Sequence, residues 1–266
     1  MRRRKFLRNT ISFSALIAFH FKAQTLASQT IKNKVAENCR FTELTLYTAE
    51  LEDQFEFYSK VLELPVISRD QEQFTLKVGE SILQFKAVED DTTPFYHYAI
   101  NIPSNKYEKA KKWLSEKTPL LLDGNGNDLL YFGFWDAHAM YFKDPSGNIG
   151  ELIARHTLDN DRDGEFGISD LLCISEIGTP VEDPDDLAVQ LKTAYDLDTL
   201  GEAMFIGDEN GLFVAVPVDR LWFPEFTQKA DIFPTEIYIS DKGKKEFQYQ
   251  DYPYRIKQKI KDVGKK

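Results

Sequence analysis

The chain has 266 residues, 42% hydrophobic and 13% aromatic, enough to bury the core of one large domain or two ordinary ones, which excludes wholesale disorder. With 14 Gly, 11 Pro and two Cys it is neither collagenous nor low-complexity, and it cannot build a disulfide framework or a Cys-rich zinc site. The formal charge of −10 repels the phosphates of nucleic acid, so a nucleic-acid partner is excluded too.

The charge is unevenly spread. Arg2, Arg3, Arg4, Lys5, Arg8 and Lys22 stand in the first 27 residues with no acid among them, so a chain lacking that segment carries about −16. Behind the basic run comes an apolar stretch, Ile11 to Phe21, and then Thr25-Leu26-Ala27. Basic region, apolar region and small-residue cleavage site in that order predict an export signal over 1–27, and the apolar run falls short of the roughly 20 residues that span a bilayer. The paired arginines followed by Phe-Leu resemble the twin-arginine signal, so the expectation is an exported, periplasmic protein with no membrane span after processing. Cys39 and Cys173 are then free to pair, although Cys173 in an apolar run also reads as a small buried side chain.

Phe41 to Thr48 alternates as a half-buried strand should, and Leu51 to Leu64 places Leu51, Phe55, Tyr58 and Leu62 at helical spacing, ending before Pro65. Three short strands follow, at 64–70, 73–78 and 81–88, the last two joined by Gly79-Glu80. The same order recurs as strand 96–102, helix 105–117 and strands near Leu120, 129–135, 137–142 and 147–154. Two βαβββ units in tandem predict an α+β fold, a curved, cleft-bearing mixed sheet with helices outside, over residues 40–156.

A third copy starts at Ile174. Aligning Phe-Thr-Glu-Leu at 41–44 with Ile-Ser-Glu-Ile at 174–177 carries Glu43 onto Glu176, with a helix at 185–195 and strands at 203–206, 211–216 and 236–240. This reads as a partial unit over 170–241, followed by a basic tail, 242–266. A half-sheet without a mate invites a second chain, so a homodimer is expected.

Chemistry-bearing side chains are few. His97 lies in a strand, opposite in parity to Tyr98, and Glu151 interrupts the apolar run Ile149-Gly150-Glu151-Leu152-Ile153, where an isolated charge is costly to bury and calls for a partner. Glu43 sits on the first strand of the first unit. Each also has a plainer reading: a core histidine bonded to a carbonyl, and acids paired with Arg155 or Lys86.

From Glu43 to Arg155 the chain resembles the vicinal oxygen chelate superfamily of glyoxalases, bleomycin resistance proteins and extradiol dioxygenases. The segments that carry the resemblance are Tyr-Phe-Lys-Asp-Pro-Ser-Gly-Asn-Ile-Gly-Glu-Leu at 141–152 and Leu-Tyr-Thr-Ala-Glu-Leu-Glu-Asp-Gln-Phe-Glu-Phe-Tyr at 46–58. It implies a divalent metal (Zn, Ni, Mn, Co or Fe(II)) held by Glu43, His97 and Glu151, with Gln84 as a fourth ligand. It also implies Glu43 or Glu151 as a catalytic base, Tyr141 beside the metal, and a small-molecule substrate. Ring-cleaving dioxygenases rely on two histidines and a carboxylate. A glutamate at 43 therefore favours glyoxalase-like lyase or isomerase chemistry, with ring cleavage or a metal-free binding protein as the alternatives. His138 has the opposite strand parity to Tyr141, so only one of them faces a cleft.

A last motif stands apart. Asp159-Asn160-Asp161-Arg162-Asp163-Gly164, with Asp170 at the twelfth position, approaches the calcium-loop spacing, and reads equally as an acidic linker.

Overall fold

The computed structural model describes residues 41–202, 204–240 and 243–258. The export signal and Cys39 lie outside the described residues. No helix among those described is long and apolar enough to cross a membrane.

The first unit is β1 (Phe41–Thr48), α1 (Leu51–Glu56, closing in a π turn, Phe57–Val61), β2 (Val66–Arg69), β3 (Gln73–Val78) and β4 (Ser81–Ala87). The second is β5 (His97–Ile102), α2 (Tyr107–Ser115), β6 (Leu130–Phe132), β7 (Ala137–Lys143) and β8 (Ile149–Arg155). In both, the first strand runs parallel to the last, as a helical crossover requires, and the other pairs are antiparallel. The third unit is shorter: β9 (Cys173–Gly178), α3 (Pro184–Tyr195), β10 (Phe205–Asp208) and β11 (Gly211–Val214). Helix α3 has its local signals in order: Asp183 accepts from the Asp186 backbone N–H at the start, proline opens the first turn, and Asp196 closes it in the left-handed conformation.

Residues 243–258 are more than the expected basic tail. β12 (Thr235–Ile239) is joined by β13 (Glu246–Gln248) and β14 (Tyr254–Gln258), so the polar stretch supplies a fourth, helix-free unit. The alternation Tyr254, Ile256 against Arg255, Lys257 buries one face of β14 and leaves the other charged.

The units do not pair in chain order. One seven-stranded sheet runs β13-β14-β12-β1-β4-β3-β2 and joins units one and four; the other runs β10-β11-β9-β5-β8-β7-β6 and joins units two and three. Residues 40–156 therefore contribute half of each cleft, contrary to the expected pairing of units one and two. The third unit finds its mate within the chain, β9 lying antiparallel to β5, which removes the half-sheet that motivated the dimer expectation.

Each strand's alternation decides its two faces. Leu44, Leu46, Leu83 and Phe85 of the first sheet and Tyr98, Ile100, Leu152 and Ala154 of the second fall in one apolar core, with Tyr58, Leu114 and Leu191 of the helices. The opposite faces are the cleft faces, and there the two sheets differ in kind. The first is polar and half-open; the second carries its own apolar cluster of Ala139, Tyr141, Ile153, Val214 and Trp222.

Candidate metal centre

Three strands of the second sheet bring His97 (β5), Glu151 (β8) and Glu176 (β9) together. His97 Nε2 lies 3.4 Å from a Glu151 carboxylate oxygen and 4.0 Å from one of Glu176, and one ligand atom from each falls within 4.8 Å of the others. All three residues are buried. The register explains the meeting: Ala99 is the cross-strand partner of both Glu151 and Glu176, so the two acids flank one row of the sheet, with His97 two residues away on the same face.

The imidazole is fixed by its other nitrogen. His97 Nδ1 is 3.2 Å from the Ile149 carbonyl, which can only accept, so Nδ1 carries the proton and Nε2 presents a lone pair to the acids. Burial pushes the His97 pKa down to about 4, against which the bond to Ile149 works only partly, and the Arg220 charge adds to the depression. The ring is neutral at ordinary pH.

Ile149 is itself placed by the turn in the segment that most strongly carries the resemblance. The Asp144 carboxylate accepts from the backbone N–H groups of Ser146 and Asn148, from the Asn148 amide at 2.7 Å and from the Tyr58 hydroxyl at 2.7 Å, while Gly147 takes the positive φ of 80° that the turn needs. Asp-Pro-Ser-Gly-Asn thus acts on the cleft through the backbone and supplies no ligand.

Glu176 is held from behind. Its Oε1 pairs with Arg155 Nη2, leaving Oε2 toward His97. Glu151 faces its cross-strand partner Tyr141, whose hydroxyl favours the ionised carboxylate. Burial raises the Glu151 carboxyl well above the usual range and the charge of Glu176 raises it further, while Arg155 and Tyr141 offset part of this. Glu176 is raised less, also by burial, because Arg155 charge and hydrogen bonding oppose it. Burial likewise raises the Tyr141 hydroxyl, so it stays protonated.

The donor set fits a divalent ion. Ligands about 2.1 Å from an ion lie about 3.0 to 3.5 Å apart at octahedral to tetrahedral angles, so a shift of some tenths of an ångström to about one ångström closes the set. Two buried carboxylates against one guanidinium leave an excess of negative charge, and a cation is its natural counterpart.

Above this cluster lies the segment between β11 and β12. The Trp222 ring sits 5.1 Å from the His97 ring, and Phe223 sits 5.3 Å from Tyr141. Gly178 makes the approach feasible, since a Cβ there would fall 2.7 Å from the Trp222 ring. The segment is tied to the β7–β8 turn by Lys143 to Glu225 at 2.7 Å and Gln228 to the Gly147 carbonyl at 3.2 Å.

Of the residues expected from the sequence, His97, Glu151 and Tyr141 meet here, and Glu43 and Gln84 do not. Both lie in the other sheet. There Gln84 accepts from Thr45 Oγ1 at 3.1 Å and donates to Gln73 and Thr75. The place assigned to Glu43 is filled by Glu176, onto which the offset of the third copy carries it. The missed signal was that a unit's first strand can complete another unit's cleft.

The other candidates have other employment. Asp170, the last position of the calcium-like loop, accepts two bonds from the buried Lys106 Nζ at 3.0 and 3.1 Å, while Ser104 takes Asn160 and Asp161. An ammonium stands where a calcium would need that carboxylate, so the loop is a clasp around α2. His138 points away from the cleft, stacked on Tyr107 at 4.0 Å and bonded to His156 at 2.7 Å. Cys173 is buried on β9.

No family model matches the chain, and no curated protein matches its sequence. Among solved structures, a Bacillus subtilis protein whose name calls it a dioxygenase superposes with a TM-score of 0.54 at 14% identity, covering 83% of this chain and 85% of that one. A glyoxalase I mutant from Zea mays gives 0.47 at 13% identity, covering 76% and 75%. Lactoylglutathione lyase from Agrobacterium tumefaciens gives 0.36 at 16% identity, covering 46% of this chain and 95% of that one. The chain has the glyoxalase, bleomycin resistance and dioxygenase type of fold, that of the vicinal oxygen chelate proteins.

Proposed function

We propose that this chain is a metal-dependent lyase or isomerase acting on a small oxygen-bearing molecule, with His97, Glu151 and Glu176 as the protein ligands of one divalent ion. The observation that carries the reading is the convergence of a neutral imidazole lone pair and two buried carboxylates on one point of a cleft. Zn, Ni, Mn, Co and Fe(II) all suit one nitrogen and two carboxylate oxygens. Such an ion supplies Lewis-acid polarisation of a substrate oxygen.

The protein's part follows from the geometry. Glu151, a carboxylate of this cleft with Tyr141 as its cross-strand partner, is the group placed to take a proton from carbon and return it. Arg155 keeps Glu176 in place as a ligand. Trp222, Phe223 and Tyr141 wall the site and exclude water. A single histidine with two glutamates departs from the two-histidine, one-carboxylate set of oxygen-activating iron sites, which favours proton transfer over ring cleavage.

The test is element-resolved metal content of the purified protein. About one divalent ion per chain is expected in the wild type, with loss in His97→Ala. A wild type that takes up no ion from any of the five metals overturns the reading.

A further inference from the structure

Arg155 is the largest fully buried side chain among the described residues, 1% exposed, and its nitrogens are unequally used. Nη2 donates to Glu176 and Nε to Asn101 Oδ1 at 3.3 Å, whereas Nη1 is buried with no partner. Arg155 falls on the same face of β8 as Glu151 and Ile153, the cleft face, with its guanidinium 5.8 Å from the Trp135 ring. A guanidinium is a planar fork of five donors that cannot shed its proton, so a dry, unbonded arm forfeits hydrogen bonds that water would have supplied. The natural acceptor for such an arm is an oxyanion, bound with a directionality that an ammonium lacks.

Charge points the same way. Ligation requires both Glu151 and Glu176 as carboxylates, and with neutral His97 and cationic Arg155 beside them a bound divalent ion leaves the site with one net positive charge. A monoanion brings it to neutrality in a place too dry to leave charge uncompensated.

We infer that Arg155 is the anion-recognition residue of this cleft, and that the substrate is a small oxygen chelator bearing a carboxylate, of the hydroxy- or oxo-acid class, one oxygen of which takes the free guanidinium arm. The inference rests on the metal reading above and goes beyond it by fixing the charge of the substrate.

Lactate and its neutral amide, lactamide, separate the two claims. Full-length protein is loaded with cobalt(II), whose visible absorption reports ligands entering its sphere, and titrated with each compound. Lactate should bind at least about tenfold more tightly than lactamide, and Arg155→Gln should lose that preference. Because Arg155 also holds Glu176, Arg155→Lys is the companion: it keeps the positive charge beside Glu176 but not the fork, and should retain cobalt while the preference shrinks. Cobalt uptake with equal binding of the two compounds, or with binding of neither, overturns this inference and leaves the metal reading standing. Full preference in Arg155→Lys or Arg155→Gln overturns it too, reducing Arg155 to a positioning residue for Glu176. A wild type that takes up no cobalt removes both claims.

Discussion

In the sheet of units two and three, Glu176 faces an imidazole and a second carboxylate. In the sheet of units one and four, Glu236 faces two lysines and a tyrosine. The two acids occupy the same register position. Glu151, Ala99 and Glu176 form one cross-strand row, and Gln84, Thr45 and Glu236 form its counterpart, with Glu43 standing two residues from Thr45 as His97 stands from Ala99. Lys257 Nζ lies 2.7 Å and Lys86 Nζ 3.4 Å from Glu236, whose other bond comes from Tyr47 at 3.0 Å. One architecture thus presents two solutions to a buried carboxylate. The first sheet answers it with its own ammonium groups, and the second leaves an unbalanced negative charge that an ion from outside can take.

The sharpest way to break this contrast is to neutralise the equivalent acid in each sheet. Glu176→Gln should lower metal occupancy from about one ion per chain to below about a tenth, since an amide oxygen replaces one of only three protein ligands. Glu236→Gln should leave occupancy unchanged. Metal analysis of the two variants side by side checks both, and equal losses would show that the ion's place is not the one the geometry indicates.

A smaller effect is expected where the charge is already balanced. Lys257→Met leaves Glu236 with Lys86 and Tyr47 and should cost about 1 to 2 kcal/mol at neutral pH, as for a charged hydrogen bond removed from a largely buried partner. The pH dependence has a definite sign. Burial works to raise the Glu236 carboxyl, but hydrogen bonds from Lys257 and Tyr47 and the charge of Lys86 outweigh it and hold the group below its ordinary value of 4.5. A carboxylate depressed in the folded state stabilises it above the unfolded value and loses that contribution as pH falls through the folded value. The gap between wild type and variant in urea unfolding should therefore close on acidification below about pH 4. A gap that persists there would mean the lysine stem, not its charge, does the stabilising.

How much of this was readable beforehand follows from where each signal lies. The repeat, the strand boundaries and the meeting of His97 with Glu151 are properties of one unit, and a unit's alternation and helix spacing are local. Pairing between units is not local. The first strand of a βαβββ unit leaves one edge open, and nothing in Phe41 to Thr48 says whether residues 97–102 or 235–239 will fill it. Hence the sequence alone points to Glu43, while Glu176, aligned with it through the third copy, is the acid that reaches His97 and Glu151. β14 escaped notice for a related reason. One face of it lines a polar cleft, so its lysine and arginine disguise the period-two burial of Tyr254 and Ile256.

The finest distinction between the clefts is a proton. Glu151 is raised by burial and by Glu176, whereas Glu236 is lowered, so without a cation the first site holds a proton more readily than the second. Metal ligation requires the carboxylate, and the proton must leave as the ion enters. Calorimetric titration of metal-free protein with zinc at pH 7, repeated in buffers of different ionisation enthalpy, should show net proton release as the ion binds. His97 adds none, because its pKa near 4 leaves the ring already neutral. Proton release close to zero would mean that both carboxylates stay ionised side by side in the empty cleft, with Arg155 alone sufficient to balance them. The pull toward a second cation would then be no stronger in this sheet than in the one that supplies its own.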